Sequence, residues 1–201
     1  GRWKALHYYA KRFFAPVMVS CEEQGWMTAA ADMNREHFEF EKSIRLNVTN
    51  ETLNDKKVTV KWALRNADSS VVRQEETQVA VPALSSVWLD KVEFPEVDYF
   101  SQYVSYEAWE EGKCISEGTV IFSYPKYFRY LDPKLSYRVE GDEIIVTAET
   151  YAKGVEILNE NEDLILSDNY FDMNAGEKRV KILGQACREE KEPIDMEAQI
   201  A

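Results

Sequence analysis

Only two histidines, His7 and His37, are available for proton transfer in a chain of 201 residues. A serine or cysteine nucleophile would need one of them within hydrogen-bond reach, in a context such as the G-x-S-x-G elbow, and no such context occurs. His7 falls on the apolar side of a helical pattern, where a packed side chain is the expectation. Glycine-rich phosphate loops are absent. Carboxylates are plentiful, 36 against 24 Lys and Arg. They sit in turns and on polar strand faces, as in Glu110-Glu111 and Glu189-Glu190, which is the pattern of a solvated surface. Asp168, Asn169, Asp172 and Asn174 could offer hard oxygen ligands to calcium. The same residue types organise tight turns by bonding their own backbone, and that reading is preferred. Cys21, Cys114 and Cys187 are odd in number, far apart and lack a C-x-x-C pair, so no disulfide framework or zinc site is expected. Free thiols in a reducing compartment, the cytoplasm favoured, fit better. No catalytic residue, metal or cofactor is assigned.

Two tripeptides, Asn47-Val48-Thr49 and Asn50-Glu51-Thr52, match glycosylation sequons. Asn47 lies inside a predicted strand, which argues against its modification. Aromatic side chains exposed on a β-sheet could instead stack on sugar rings. Trp26, Trp88, Trp109, Tyr99 and Phe100 are the candidates, with Trp109, Tyr99 and Phe100 retained as sugar or interface residues. Sandwich cores also need aromatics, and Trp62, alternating with Val58 and Val60, is assigned inward.

The elements that must carry these residues are mainly strands. Residues 2 to about 15 are the exception. There Trp3, Leu6, His7, Ala10, Phe13, Phe14 and Val17 recur at spacings of three and four, the mark of an amphipathic helix, and Pro16 ends it. The stretch is basic within an acidic chain of formal charge −12. Its aromatic face reads as a docking surface for protein rather than membrane. Periodicity then drops to two. Ile44, Leu46 and Val48, then Val58 to Leu64, alternate with polar residues, and a Gly112 hairpin loop joins Tyr103–Glu110 to Cys114–Phe122. About seven strands at this spacing predict an immunoglobulin-like β-sandwich over residues 23–124. Residues 125–133, with Pro125, Pro133 and aromatics between, read as a semi-rigid linker. A second, smaller sandwich follows over 134–186, with a turn at Gly141-Asp142, and 187–201 reads as a polar tail. So small a domain buries little surface. It is expected to lean on the first sandwich, with Tyr127, Phe128 and Tyr130 in or near the contact. No run approaches the roughly 20 apolar residues of a membrane helix, and net acidity disfavours nucleic acid as a partner.

Two segments carry a family resemblance. The opening Arg2-Trp3-Lys4-Ala5-Leu6-His7-Tyr8, followed by Phe14-Ala15-Pro16-Val17, resembles the last helix and exit strand of the catalytic barrel in β-mannosidases of glycoside hydrolase family 2. Downstream, Ala152-Lys153-Gly154-Val155 and Ser167-Asp168-Asn169-Tyr170-Phe171-Asp172, then Gly176-Glu177, are similar to that family's terminal immunoglobulin-like domain. Ala175 stands where the family carries a proline. The resemblance spans essentially the whole chain. It implies a helix left over from a (β/α)8 barrel (residues 1–22, with Gly1 opening straight into it) ahead of two tandem immunoglobulin-like sandwiches. It also implies a larger enzyme that removes terminal β-linked mannose with retention, using two glutamates about 5–5.5 Å apart that lie upstream of Gly1. No Glu here inherits that role, so the chain alone is expected to be inactive. Its part would be to brace the barrel or shape the rim of its pocket. Trp3, Leu6, Phe13 and Phe14 form the expected barrel-docking face; in this chain alone they are expected to pack on the first sandwich or on a second copy. The implied partners are the barrel itself, mannosides or mannose-containing glycans, and a homo-oligomer. The alternatives are an autonomous carbohydrate-binding pair of domains and a structural immunoglobulin-like module.

Overall fold

A computed structural model describes residues 3–29, 39–161, 163–185 and 198–200. His37, Cys187 and Glu189-Glu190 lie outside the described residues, as does most of the expected tail. The described residues are mainly strand, with one α-helix, and the chain divides into two units, residues 15–130 and residues 1–14 with 131–201.

The first unit is built from β1 (Val17–Gln24), β2 (Ser43–Asn50), β3 (Lys56–Asn66), β4 (Val71–Val81), β5 (Ser85–Trp88), β6 (Val92–Glu93), β7 (Gln102–Glu110) and β8 (Lys113–Ile121). One sheet runs β1-β2-β5 with β6 also on β2, and the other runs β4-β3-β7-β8. All pairs are antiparallel. Because successive side chains on a strand point to opposite faces, Ile44, Leu46 and Val48 of β2 meet Val58, Val60, Trp62 and Leu64 of β3 in one core. Trp62 is buried as expected, edge-on to Phe94 at 5.6 Å. The β7–β8 turn places Glu111 and Gly112 at φ +49° and +79°, the left-handed pair a two-residue hairpin demands. Opposite Tyr106, Gly118 leaves room for the phenol ring, since a Cβ there would lie 2.4 Å from its Oη.

Two features of this unit differ from expectation, in β1 and in the segment after β8. Residues 17–22, read as the exit from a barrel, fall in β1, which pairs with β2 over its whole length. The aromatics read as linker belong to this unit's own packing. Tyr127 stacks on Trp26 at 5.3 Å, Phe128 is buried, and Arg129 N–H donates to Phe100 O at 2.6 Å. The sequons are also absorbed into structure. Asn50 is fully buried: its amide donates to Asn54 O, Val81 O and Pro82 O, and its Oδ1 accepts from Thr52 N–H and Oγ1. Asn47 is 6 % exposed, so neither asparagine is presented to a modifying enzyme.

In the second unit, β9 (Ser136–Glu140), β10 (Glu143–Ala148), β13 (Leu164–Leu166) and β15 (Gly176–Gln185) form a sheet in the order β13-β15-β10-β9. Two further pairs are β11 (Ala152–Val155) with β14 (Phe171–Met173), and β12 (Ile157–Asn159) with β16 (Ala198–Ile200). The last pair places a short strand where the polar tail was expected. Gly141, at φ +63°, makes the anticipated β9–β10 turn. The core is aliphatic, centred on Ile144, Val146, Leu166 and Val180, with Tyr8 of the helix among them.

Candidate functional site

The helix α1 (Ala5–Phe13) has nine residues and no side-chain bond at its N-cap, Lys4. Isolated helices shorter than roughly 12–15 residues are marginal in water, so its persistence rests on what it touches. Lys11 and Arg12 in the last turn suit the negative end of the helix dipole. Tyr8 is 2 % exposed within the second unit's core, and its hydroxyl accepts Leu166 N–H at 3.4 Å. One turn on, Arg12 forks onto a single loop. Its Nη2 and Nε donate to Asp168 Oδ1 at 2.6 and 3.2 Å, Nη1 to Tyr170 O at 3.1 Å, and Nη2 also to Asn169 O. Lys11 Nζ reaches Ser167 O at 2.7 Å. Burial, with the Asp168 charge nearby, raises the Tyr8 phenol above its ordinary 10.0, against the opposing Leu166 bond.

The Ser167–Tyr170 loop is preset for this grip. Buried Asn169 imitates a strand partner for Ile157: Oδ1 accepts its N–H at 2.8 Å and Nδ2 donates to its carbonyl at 2.9 Å. The same Oδ1 accepts Tyr170 N–H at 2.9 Å, while Tyr170 adopts φ +53° and its hydroxyl donates to Glu156. A bulky residue in that left-handed region is strained, and here it turns the carbonyls of residues 169 and 170 toward Arg12. Within the loop itself, Asp168 Oδ1 accepts Asn169 N–H and Asn169 Oδ1 accepts Tyr170 N–H, both at 2.9 Å. Asp168 answers Arg12 and Lys178, whereas Asp172 answers Lys153 and Gly154 N–H. Among the described residues no three His, Cys, Asp or Glu side chains gather to hold a metal ion.

Of the two packing partners expected within this chain alone, the first sandwich is not the one the helix uses: it packs on the smaller unit. The four residues of the expected docking face also separate. Trp3 packs against the second core, but Leu6, Phe13 and Phe14 are 72 %, 50 % and 79 % exposed. His7 is exposed rather than packed, its ring 3.8 Å from that of Trp3. Tyr8 and Arg12 carry the contact, and their spacing of four was the available signal.

The sugar-stacking candidates do not form one site. Tyr99 and Phe100, ahead of β7, join Trp26, Tyr124 and Tyr127 in an aromatic cluster with Trp26 ring distances of 5.3–6.2 Å. Trp109 lies near the other end of β7, held by Nε1 donation to Glu107 at 2.6 Å and by Lys61 Nζ, 5.2 Å from its ring. Trp88 is exposed, with Arg45 over it at 5.0 Å. A depression of about 340 Å³ on the outer sheet is bordered by Lys61, Arg65, Gln74, Glu76, Ser105 and Glu107. Among the described residues neither thiol is set up as a nucleophile: burial, with Glu23 nearby, pushes Cys21 up to about 12, and Cys114 Sγ donates to Ser116 O.

Residues 42–127 match the family model described as a mannosidase Ig/CBM-like domain, and residues 130–186 match a second model, an Ig-fold domain of mannosidases. Between them the two models span most of the chain, which belongs with the Ig-like domains of mannosidases. A mouse β-mannosidase is 42 % identical to this chain over 40 residues, 18 % of this chain and 5 % of the relative. The crystal structure of a β-D-mannosidase from Dictyoglomus thermophilum shares the fold with a TM-score of 0.71 at 16 % identity, covering 97 % of this chain and 22 % of that one. An exo-chitosanase from Amycolatopsis orientalis gives a TM-score of 0.54 at 14 % identity over 87 % of this chain and 24 % of its own. The Ig-like region thus spans less than a quarter of these relatives, which are glycoside hydrolases, and its domains are of the kind that accompany such catalytic bodies.

Proposed function

We propose that this chain is the non-catalytic C-terminal accessory region of a retaining β-mannosidase, and that it braces the last helix of the catalytic barrel. One observation carries this reading. α1 is fastened to the smaller sandwich by Tyr8 and Arg12, while Leu6, Phe13 and Phe14 face solvent. Covering three such side chains is worth roughly 1.5–3 kcal/mol each, which is ample reason for a larger body to sit on that stripe. The helix then serves two surfaces at once, barrel on one side and sandwich on the other, so the terminal domain resists its displacement. The first sandwich contributes to the rim of the barrel's substrate pocket.

Hydrolysis with retention needs an acid/base and a nucleophile about 5–5.5 Å apart, and the barrel's glutamates supply both. The test is turnover of an aryl β-mannoside. The chain alone is expected to release no aglycone, and a polypeptide in which it follows its barrel is expected to release it with the β-anomer formed first. Turnover by this chain alone, or a folded barrel-bearing polypeptide without activity, would overturn the proposal.

A further inference from the structure

We infer that the outer face of β4, β3 and β7 is a binding surface for a short neutral oligosaccharide, built into the first sandwich and independent of any catalytic pocket. Strand alternation sets the surface. Lys61 lies opposite Glu76 on β4 and Glu107 on β7, and Ala63 lies opposite Gln74 and Ser105. All of these point to the same side of the sheet. The small Ala63 side chain leaves depth between the rows, and the resulting depression of about 340 Å³ falls within the range of small-ligand sites. Trp109 stands two residues beyond Glu107 on that face. Its indole is already oriented by the bond to Glu107, so little side-chain entropy would be lost on stacking.

The chemistry of the lining selects the ligand. Lys61 and Arg65 are matched by Glu76 and Glu107, so the surface lacks the cationic excess that a phosphate or nucleic acid requires. It is also too polar to bury an aliphatic chain. Arg65 is anchored, Nε to Ser105 Oγ and Nη1 to Ser69 O, both at 2.9 Å. Lys61 and Glu76, by contrast, form a loose pair at 3.4 Å with both side chains about half exposed or more, and Gln74 is exposed. A fixed floor with exchangeable donors and acceptors, next to an oriented indole, matches the alternating hydroxyl groups and C–H faces of pyranose rings.

The experiment is titration of the ¹⁵N-labelled full chain with β-1,4-mannotetraose, with cellotetraose as a parallel arm. Saturable shifts are expected in the Trp109 indole N–H and in the amides of Lys61–Arg65 and Ser105–Trp109. Trp109→Ala should weaken binding at least about tenfold. Trp109→Phe, which keeps a ring, should retain most of it, and Trp88→Ala on the other sheet should change nothing. A response to cellotetraose alone would keep the surface and change the sugar. The inference is overturned if these resonances stay unmoved by either sugar at about 10 mM, if Trp109→Ala with an intact spectrum binds unchanged, or if the shifts map to Trp26 and Tyr99 instead. Because the isolated chain is titrated, failure here leaves the mannosidase assignment standing, and the converse also holds.

Discussion

Tyr8→Ala is expected to unfold the smaller sandwich while sparing the larger one. The side chain is almost wholly enclosed by Ile144, Leu166 and their neighbours, and truncating a buried aromatic costs roughly 3–5 kcal/mol. That is a large part of the total stability of so small a unit. It also frees α1, which is too short to persist alone. Hydrogen exchange separates the outcomes: amides of β10 and β15 should lose protection, and those of β3 and β7 should keep it. Tyr8→Phe retains the ring and gives up one long hydrogen bond, so about 1 kcal/mol or less is expected. The phenol adds an alkaline signature. Its folded pKa is raised above 10.0 by burial and by Asp168, so the stabilisation by the neutral form is complete below pH 10 and lost as pH climbs through the raised value. Tyr8→Phe should abolish that loss. A Tyr8→Ala protein that exchanges like the parent would show that the helix is not part of this core.

Asn50→Ala should be the most damaging single change in the first sandwich. Its amide serves three backbone carbonyls and its oxygen serves Thr52 twice, tying the end of β2 to the end of β4. Alanine fills neither role. Each buried group left without a partner costs about 1–3 kcal/mol, and a total on the order of 3–5 kcal/mol is expected. Four of the five tryptophans, Trp26, Trp62, Trp88 and Trp109, lie in this unit, so urea unfolding followed by fluorescence reports on it. The midpoint should fall steeply with the slope preserved. A midpoint within error of the parent would mean that the network contributes little.

Much of the architecture could be read from the residues because strand periodicity is a one-bit signal. Val58, Val60, Trp62 and Leu64 can face only one way, and Glu111-Gly112 suits a tight hairpin. Helical periodicity says less. It marked α1 correctly, but the most apolar stripe, Leu6 with Phe13 and Phe14, is not the one docked here. Tyr8 and Arg12 dock through a phenol and a guanidinium, and hydropathy scores both as surface. The Arg12 fork needs the carbonyls of Asn169 and Tyr170, which lie far away in sequence and are aimed by a left-handed residue no pattern announces. β1 was obscured by its neighbour: Pro16 closes the helix and opens the strand within a single step, so one segment was read as an exit rather than as an edge of the sandwich. Tyr127 and Phe128 looked like linker because prolines flank them, although their rings complete the first unit's own aromatic packing. The Ser-Asp-Asn segment was visible as a motif, but its purpose, holding Ile157 and presenting carbonyls to a helix, required the fold.

The most direct test of the brace is aryl β-mannoside turnover by the barrel-bearing polypeptide carrying Leu6→Gln, Phe13→Gln and Phe14→Gln together. Glutamine keeps helix propensity and removes only the exposed apolar stripe. In the isolated chain the triple change should leave the fold as it is. In the larger protein it should cost roughly 1.5–3 kcal/mol per buried position and bring a clear loss of activity on mild heating. Turnover and thermal inactivation identical to the parent would contradict the account, because the stripe would then have no partner to lose.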